Sequence, residues 1–264
     1  MTEPVQFTSY SHVVRLRLNR PAQGNVVNAQ MLGAIQSGLD KALADSECRA
    51  IVIEGADGVF CRGMDFAATL AQAGAGLDDT FAEPYGRVVT TIRDASKPVI
   101  AAIDGEVLAG GMGLALACDI VLATPRSVFG LSEVLFGLIP AYVFPFLLER
   151  MPLKKARFMV LSSQKFSADR AHELGVVDEI AEDLEKTLTQ YLKRLLTSSP
   201  KALAAVKTYS DRISGEPLPQ ALSLAAEQLT ALLRDTQTQS AIRAFLDGDK
   251  LAWAVKYRRP HRDD

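Results

Sequence analysis

Three short apolar runs constrain the fold class most. "AIVIEG" (Ala50–Gly55), "PVIAAIDG" (Pro98–Gly105) and "DIVLAT" (Asp119–Thr124) are rich in β-branched residues and read as buried strands. Upstream, "HVVRLRLNR" (His12–Arg20) alternates with period two and predicts another strand. "MLGAIQSGLDKALADS" (Met31–Ser46) has helical spacing and a start signal at Asn28. Strands separated by helices predict an α/β chain with crossover connections. "AQAGAGLDDTFAEP" (Ala71–Pro84) reads as a mobile loop between helices. From Ala181 onward the pattern turns helical: "LEKTLTQYLKRLL", "PKALAAVKTYSDRI", "PLPQALSLAAEQLTALL" and "TQSAIRAFLDG", with Pro200 placed to open the second. The expected organisation is an α/β core over residues 1–195 and a helical region over 196–264.

Composition excludes several classes. At 264 residues the chain fits one large domain or a domain with an appendage. A net charge of -2 gives no electrostatic case for nucleic acid. The longest apolar stretches are broken by glycine, proline or charge and fall short of the roughly 20 residues of a membrane span. "MTEPVQF" lacks the basic and apolar segments of a secretory signal. Three cysteines, Cys48, Cys61 and Cys118, form neither a disulfide framework nor a metal-spaced set, and the three histidines are not paired at ligand spacing. The expectation is a soluble, cytoplasmic protein with no metal.

"GEVLAGGMGLALACDI" (Gly105–Ile120) then poses the chemical question. Gly110, Gly111 and Gly113 interrupt an otherwise apolar run, and a glycine inside a helix costs about 1 kcal/mol relative to alanine. A dinucleotide fingerprint fails because Leu116 stands where the third glycine belongs, and no Gly-Lys-Ser/Thr loop exists. The remaining functional reading is a helix start with bare backbone N–H groups that accept a negatively charged oxygen. "VFCRGMDF" (Val59–Phe66) is a second glycine turn, placed between a strand and a helix, that could give a second N–H. The plain alternative is that both are only tight turns.

"VFCRGMDF", "AAIDGEVLAGGMGLALACDIVLAT" and "SVFGLSEVLFGLIPA", in this order and spacing, resemble the crotonase (enoyl-CoA hydratase/isomerase) superfamily from about Val13 to the C-terminal helices. The resemblance implies a spiral of ββα units, assembly into trimers or hexamers through the C-terminal helices, and an oxyanion hole for a thioester carbonyl. On this chain the two implied N–H donors fall on Arg62 and Gly110. Gly63, Asp65, Gly111, Gly113 and Tyr85 are the expected substrate-binding positions. Hydratases of this family carry two glutamates. One falls on Glu133 and is kept; the other falls on Gly113 and is absent. The apolar neighbours Val128, Phe129, Leu131, Val134, Leu135 and Phe136 predict a raised Glu133 carboxyl. The competing reading makes Glu133 a first-turn acid with Ser132 as cap. Asp65 and Asp119 follow the glycine turns and suit turn capping. Glu83 stands with Tyr85 as a candidate pocket residue, and Lys250, Lys256, Arg258 and Arg259 form a basic tail open to solvent or to a phosphate.

"GLSEVLFGLIPAYVFPFLLER" is further similar to one subgroup, the dehydratases that act on 3-hydroxy-3-methylglutaryl held on an acyl carrier protein in polyketide β-branching. This implies a lyase that needs no dissociable cofactor, its substrate carried on phosphopantetheine or on CoA. Two other readings stay open: a CoA-dependent enoyl isomerase or hydratase of acyl catabolism, and a catalytically silent scaffold. Retention of Glu133 and both glycine turns argues against the scaffold.

Overall fold

The computed structural model describes residues 3–64 and 82–258, apart from 217–219, 221, 223, 225–228 and 233. Two sheets organise the chain. The larger has six strands in the order β1 (Val5–Tyr10), β2 (Val13–Leu18), β3 (Ala50–Gly55), β5 (Val99–Ile103), β7 (Ile120–Ala123) and β10 (Glu179–Ile180). The smaller has four: β4 (Val59–Cys61), β6 (Glu106–Leu108), β8 (Val128–Gly130) and β9 (Lys165–Ser167). β2, β3, β5, β7 and β10 run parallel, and β1 pairs antiparallel with β2. Each of β3, β5 and β7 steps through a short connection into a strand of the smaller sheet, which generates a spiral of repeated ββα units. The architecture is the crotonase-type α/β spiral that the motif order implies.

The apolar runs behave as two-faced strands because successive side chains point to opposite sides of a sheet. Val14, Leu16, Leu18, Ile51, Ile53, Ala101, Ile103 and Val121 enter the main core with helix α1 (Ala29–Ala44). Val13, Ala50, Val52, Ile100, Ala102 and Leu122 pack on the other face against Leu188, Leu192 and Leu196 of α7 (Leu184–Thr197). Burial on both faces explains why these strands read as continuous apolar runs. Asn28 caps α1, its side chain accepting from the Met31 amide at 2.9 Å. Between these lie α2 (Ala82–Arg93), α3 (Gly110–Leu116), α4 (Phe144–Arg150), α5 (Leu153–Ser162) and α6 (Ala168–Leu174).

Beyond α7 the character changes, as the helical pattern predicts. α8 (Pro200–Ile213), opened by Pro200, buries no residue, and α9 (Thr236–Asp247) buries only Ala241. The expected helix in "PLPQALSLAAEQLTALL" and most of the expected loop over 71–84 lie outside the described residues. No helix among the described residues is long and apolar enough to cross a membrane.

Candidate active site

The two glycine turns meet. β4 ends at Cys61 and passes into Arg62, Gly63 and Met64. Gly63 has φ +92°, and a Cβ there would sit 2.7 Å from the Ala109 side chain and 3.1 Å from the Gly110 nitrogen. Only glycine tolerates both the left-handed backbone and this approach. The turn is braced from the early chain: Val27 N–H donates to the Gly63 carbonyl at 2.8 Å, and buried Asn25 donates from its side chain to the Val59 carbonyl at 2.7 Å.

This bracing corrects the first N–H assignment. The Arg62 amide donates to the Gly24 carbonyl at 3.0 Å, so it cannot also serve a ligand oxygen. The Gly63 amide faces the Cys61 sulfur at 3.4 Å. The next amide, Met64, has no partner among the described residues, and its bridge to Val27 runs through the Gly63 carbonyl instead. Met64 therefore supplies the open N–H that sequence reasoning placed two residues too early. The Arg62 side chain pairs with Glu106 at 2.6 Å, and Glu106 also accepts from Lys165 at 3.1 Å.

The second turn carries backbone strain. Ala109, between β6 and α3, adopts φ 48°, ψ -123°, and its amide donates to the Gly130 carbonyl at 2.9 Å. A non-glycine residue in such a region costs on the order of 1–3 kcal/mol and persists only where its surroundings hold it. The strain sets Gly110 as the first residue of α3, where its N–H has no intrahelical acceptor.

The three helix glycines then separate by role. A Cβ at Gly110 would find ordinary contacts, 3.5 Å to the Tyr85 ring and 3.7 Å to Gly63 Cα. A Cβ at Gly111 would overlap the Cys61 carbonyl, so this glycine lets α3 pack directly on β4. A Cβ at Gly113 would overlap the Tyr85 hydroxyl. Tyr85 is buried, and its hydroxyl donates to the Gly110 carbonyl at 2.6 Å. The absent glutamate at Gly113 therefore leaves no open space, because a phenol occupies that room.

Glu133 opens a short 3₁₀ turn, Glu133–Phe136, after β8. Ser132 makes no side-chain cap bond, which removes the capping explanation for this acid. One carboxylate oxygen, Oε2, is buried without a hydrogen-bond partner among the described residues. Burial pushes the carboxyl above the ordinary carboxylate range, against the pull of the backbone amides of Glu133 and Ser132. Phe129 and Leu131 are buried beside it, whereas Leu135 is 67% exposed and gives no such shielding. Burial holds the Tyr85 phenol neutral, well above its ordinary range, and its neighbours Cys61 and Glu133 push in the same direction.

Other candidates lie elsewhere. Asp119 accepts from the Val99 amide and from Lys207, both at 2.8 Å, and is structural. Glu83 is an exposed partner of Arg87 at 2.9 Å. The tail is tied through backbone, Arg258 N–H donating to the Ser11 hydroxyl at 2.9 Å. Asp65 and Arg259 lie outside the described residues. An open pair of amides beside one buried, proton-hungry carboxyl can polarise a carbonyl and move a proton at the adjacent carbon.

Comparison with known proteins gives the family. The enoyl-CoA hydratase/isomerase family model matches residues 8–256. The chain is 29% identical over 243 residues to the bacillaene synthase dehydratase PksH of Bacillus subtilis, covering 91% of this chain and 93% of that protein. It is 33% identical to the 2,3-dehydroadipyl-CoA hydratase of Escherichia coli, covering 89% and 92%. The solved structure of Pseudomonas aeruginosa AtuE superimposes with a TM-score of 0.88 at 32% identity, covering 96% of this chain and all of that one. The chain is therefore an enzyme of the enoyl-CoA hydratase/isomerase (crotonase) family, in its hydratase and dehydratase branch.

Proposed function

We propose that this enzyme is a dehydratase that removes water from 3-hydroxy-3-methylglutaryl held as a thioester on an acyl carrier protein, giving 3-methylglutaconyl thioester during polyketide β-branching. The thioester oxygen lies between the Met64 and Gly110 N–H groups. Ionised Glu133 takes the α-proton, and the enolate charge collects on the oxygen between the two amides. Loss of one such donor in other enzymes costs about 2.7–4 kcal/mol of barrier. Protonated Glu133 then gives its proton to the departing β-hydroxyl. Water leaves, the α,β double bond forms, and the carboxylate is restored. One carboxyl acts first as base and then as acid, so its raised affinity for protons suits both halves.

The observation that carries this reading is the single carboxyl. Glu133 stands with a buried oxygen that has no partner among the described residues, while the position of a second family glutamate is Gly113, filled by Tyr85. The similarity to a relative named as the dehydratase of a bacillaene synthase supports the same direction. In this reading the phosphopantetheine of the carrier, or CoA, is the only handle required, with Gly63, Gly111, Gly113 and Tyr85 around the acyl group. The protein works in the cytoplasm as a homotrimer or hexamer assembled through residues 196–264, which expose Val206, Ile242, Phe245 and Leu246. Incubation with 3-hydroxy-3-methylglutaryl on a carrier protein tests it: mass spectrometry should record loss of one water from the loaded carrier. An unchanged carrier mass, with brisk hydration of a straight-chain enoyl-CoA, refutes it. The second reading is that CoA-dependent hydration or isomerisation, favoured by the 33% identity to a dehydroadipyl-CoA hydratase.

A further inference from the structure

Gly113 lies inside α3, where glycine is unfavourable by about 1 kcal/mol relative to alanine, and its backbone has no positive φ that would demand it. Its reason is a neighbour. The Tyr85 hydroxyl stands where the Cβ would be, and the Val143 side chain comes within 3.3 Å of the same point. The phenol is fixed from several sides. Its hydroxyl donates to the Gly110 carbonyl at 2.6 Å, and its ring meets the Tyr142 ring edge-to-face at 5.8 Å and 76°. Tyr142 in turn covers Gly86, where a Cβ would lie 2.6 Å from its ring. Two glycines on two helices thus receive two tyrosines, and the phenol is locked against the first turn of α3.

We propose that Tyr85 is a specificity-determining residue: its hydroxyl fills the seat of a side chain at position 113, so that Glu133 is the sole proton-transferring group of the site among the described residues. A phenol that gives its proton to the Gly110 carbonyl takes none from a substrate hydroxyl or a water. One carboxyl then serves a substrate whose β-hydroxyl leaves readily better than a simple straight-chain one. This rests on the thioester reading of the site.

The test is a double-variant cycle with two readouts, the melting temperature and the hydration of crotonyl-CoA, with dehydration of a 3-hydroxy-3-methylglutaryl thioester run alongside. Gly113→Glu alone should melt several degrees below wild type and hydrate nothing. Tyr85→Ala/Gly113→Glu should recover most of that melting loss and hydrate crotonyl-CoA about 10²-fold faster than wild type, the lower end of what one acid/base group supplies. Tyr85→Phe should keep KM for the branched thioester and lower its kcat about tenfold, the worth of one hydrogen bond. The inference is overturned if Gly113→Glu alone melts with wild type and hydrates as well as the double variant. It is equally overturned if the double variant folds yet hydrates no faster than wild type, or stays unfolded while Tyr85→Ala folds. Should wild type turn over neither thioester, the proposed function falls, and the melting cycle decides the seat: additive losses overturn it, and rescue supports it.

Discussion

Replacing Glu133 by glutamine keeps the shape of the side chain and removes its proton chemistry. The native structure holds this carboxyl above its ordinary range by burial and leaves Oε2 without a partner. A group whose affinity for protons is raised by folding favours the native state when protonated, and it erodes stability as pH climbs through the raised value. At neutral pH the ionised carboxylate is therefore a burden that glutamine relieves. A buried unsatisfied acceptor costs about 1–3 kcal/mol. Because the residue is only partly buried, the lower end applies, and about 1 kcal/mol in a chain of this size corresponds to about 2–4 °C. Glu133→Gln should thus melt about 2 °C above wild type at pH 7.5 and level with it near pH 4.5. Turnover should fall by roughly 10² or more. Differential scanning fluorimetry across pH, with single-turnover mass spectrometry, measures both. A variant that melts several degrees lower at neutral pH would show Glu133 to be structural, and near-native turnover would refute the one-carboxyl mechanism.

The remaining predictions follow from the same geometry. Gly110→Val should fold but lose turnover, since an alanine-sized group finds ordinary contacts there while the valine branches crowd Tyr85 and Gly63; normal turnover in a kinetic assay would make the turn purely structural. Arg62→Ala should leave turnover nearly intact and shift stability by no more than about 1 kcal/mol, because its amide remains bound to Gly24 and only the exposed pair with Glu106 is lost; a large drop in kcat would return a role to this residue. Wild-type turnover should lose activity on acidification at a pH above the ordinary carboxylate range, following the raised Glu133 carboxyl, and a rate limb at the ordinary value would contradict its burial. All three cysteines are buried, and burial pushes the Cys61 thiol up to about 12, so a thiol reagent should label the native protein only as it unfolds; rapid labelling at neutral pH would be inconsistent with this packing.

Much of this was legible in the sequence because strands buried on both faces and amphipathic helices leave unambiguous patterns. Ala50–Gly55, the α1 cap at Asn28 and the Pro200 helix start all lie where the residues place them. Motif order singled out Glu133. What could not be read is which partner each backbone group finds. The Arg62 amide looks as available as that of Met64 until the loop at Gly24 folds over it. Likewise, an absent glutamate at position 113 reads as empty space, although a tyrosine 28 positions earlier in the chain comes back to fill it. The one hint was the pairing of a helix-interior glycine with an aromatic residue flanked by its own glycine, Tyr85–Gly86, a signal that needs the third dimension to interpret.

The short steps between the two sheets carry a consequence for where this molecule can change. β3 passes to β4, β5 to β6 and β7 to β8 through a few residues each, and at Gly105, with φ +118°, backbone lies directly on the backbone of Gly58. No insertion can enter on that side without prying the sheets apart. The return path, from the smaller sheet back to the larger, is free of that restraint. Both open amides and the strained Ala109 sit at the start of those return paths, and Glu133 follows β8 as they follow β4 and β6. New chain length acquired by divergence, or added by an engineer, is thus channelled to the rim of the acyl pocket, so the scaffold can be retuned for another substrate while its screw-like frame keeps its pitch.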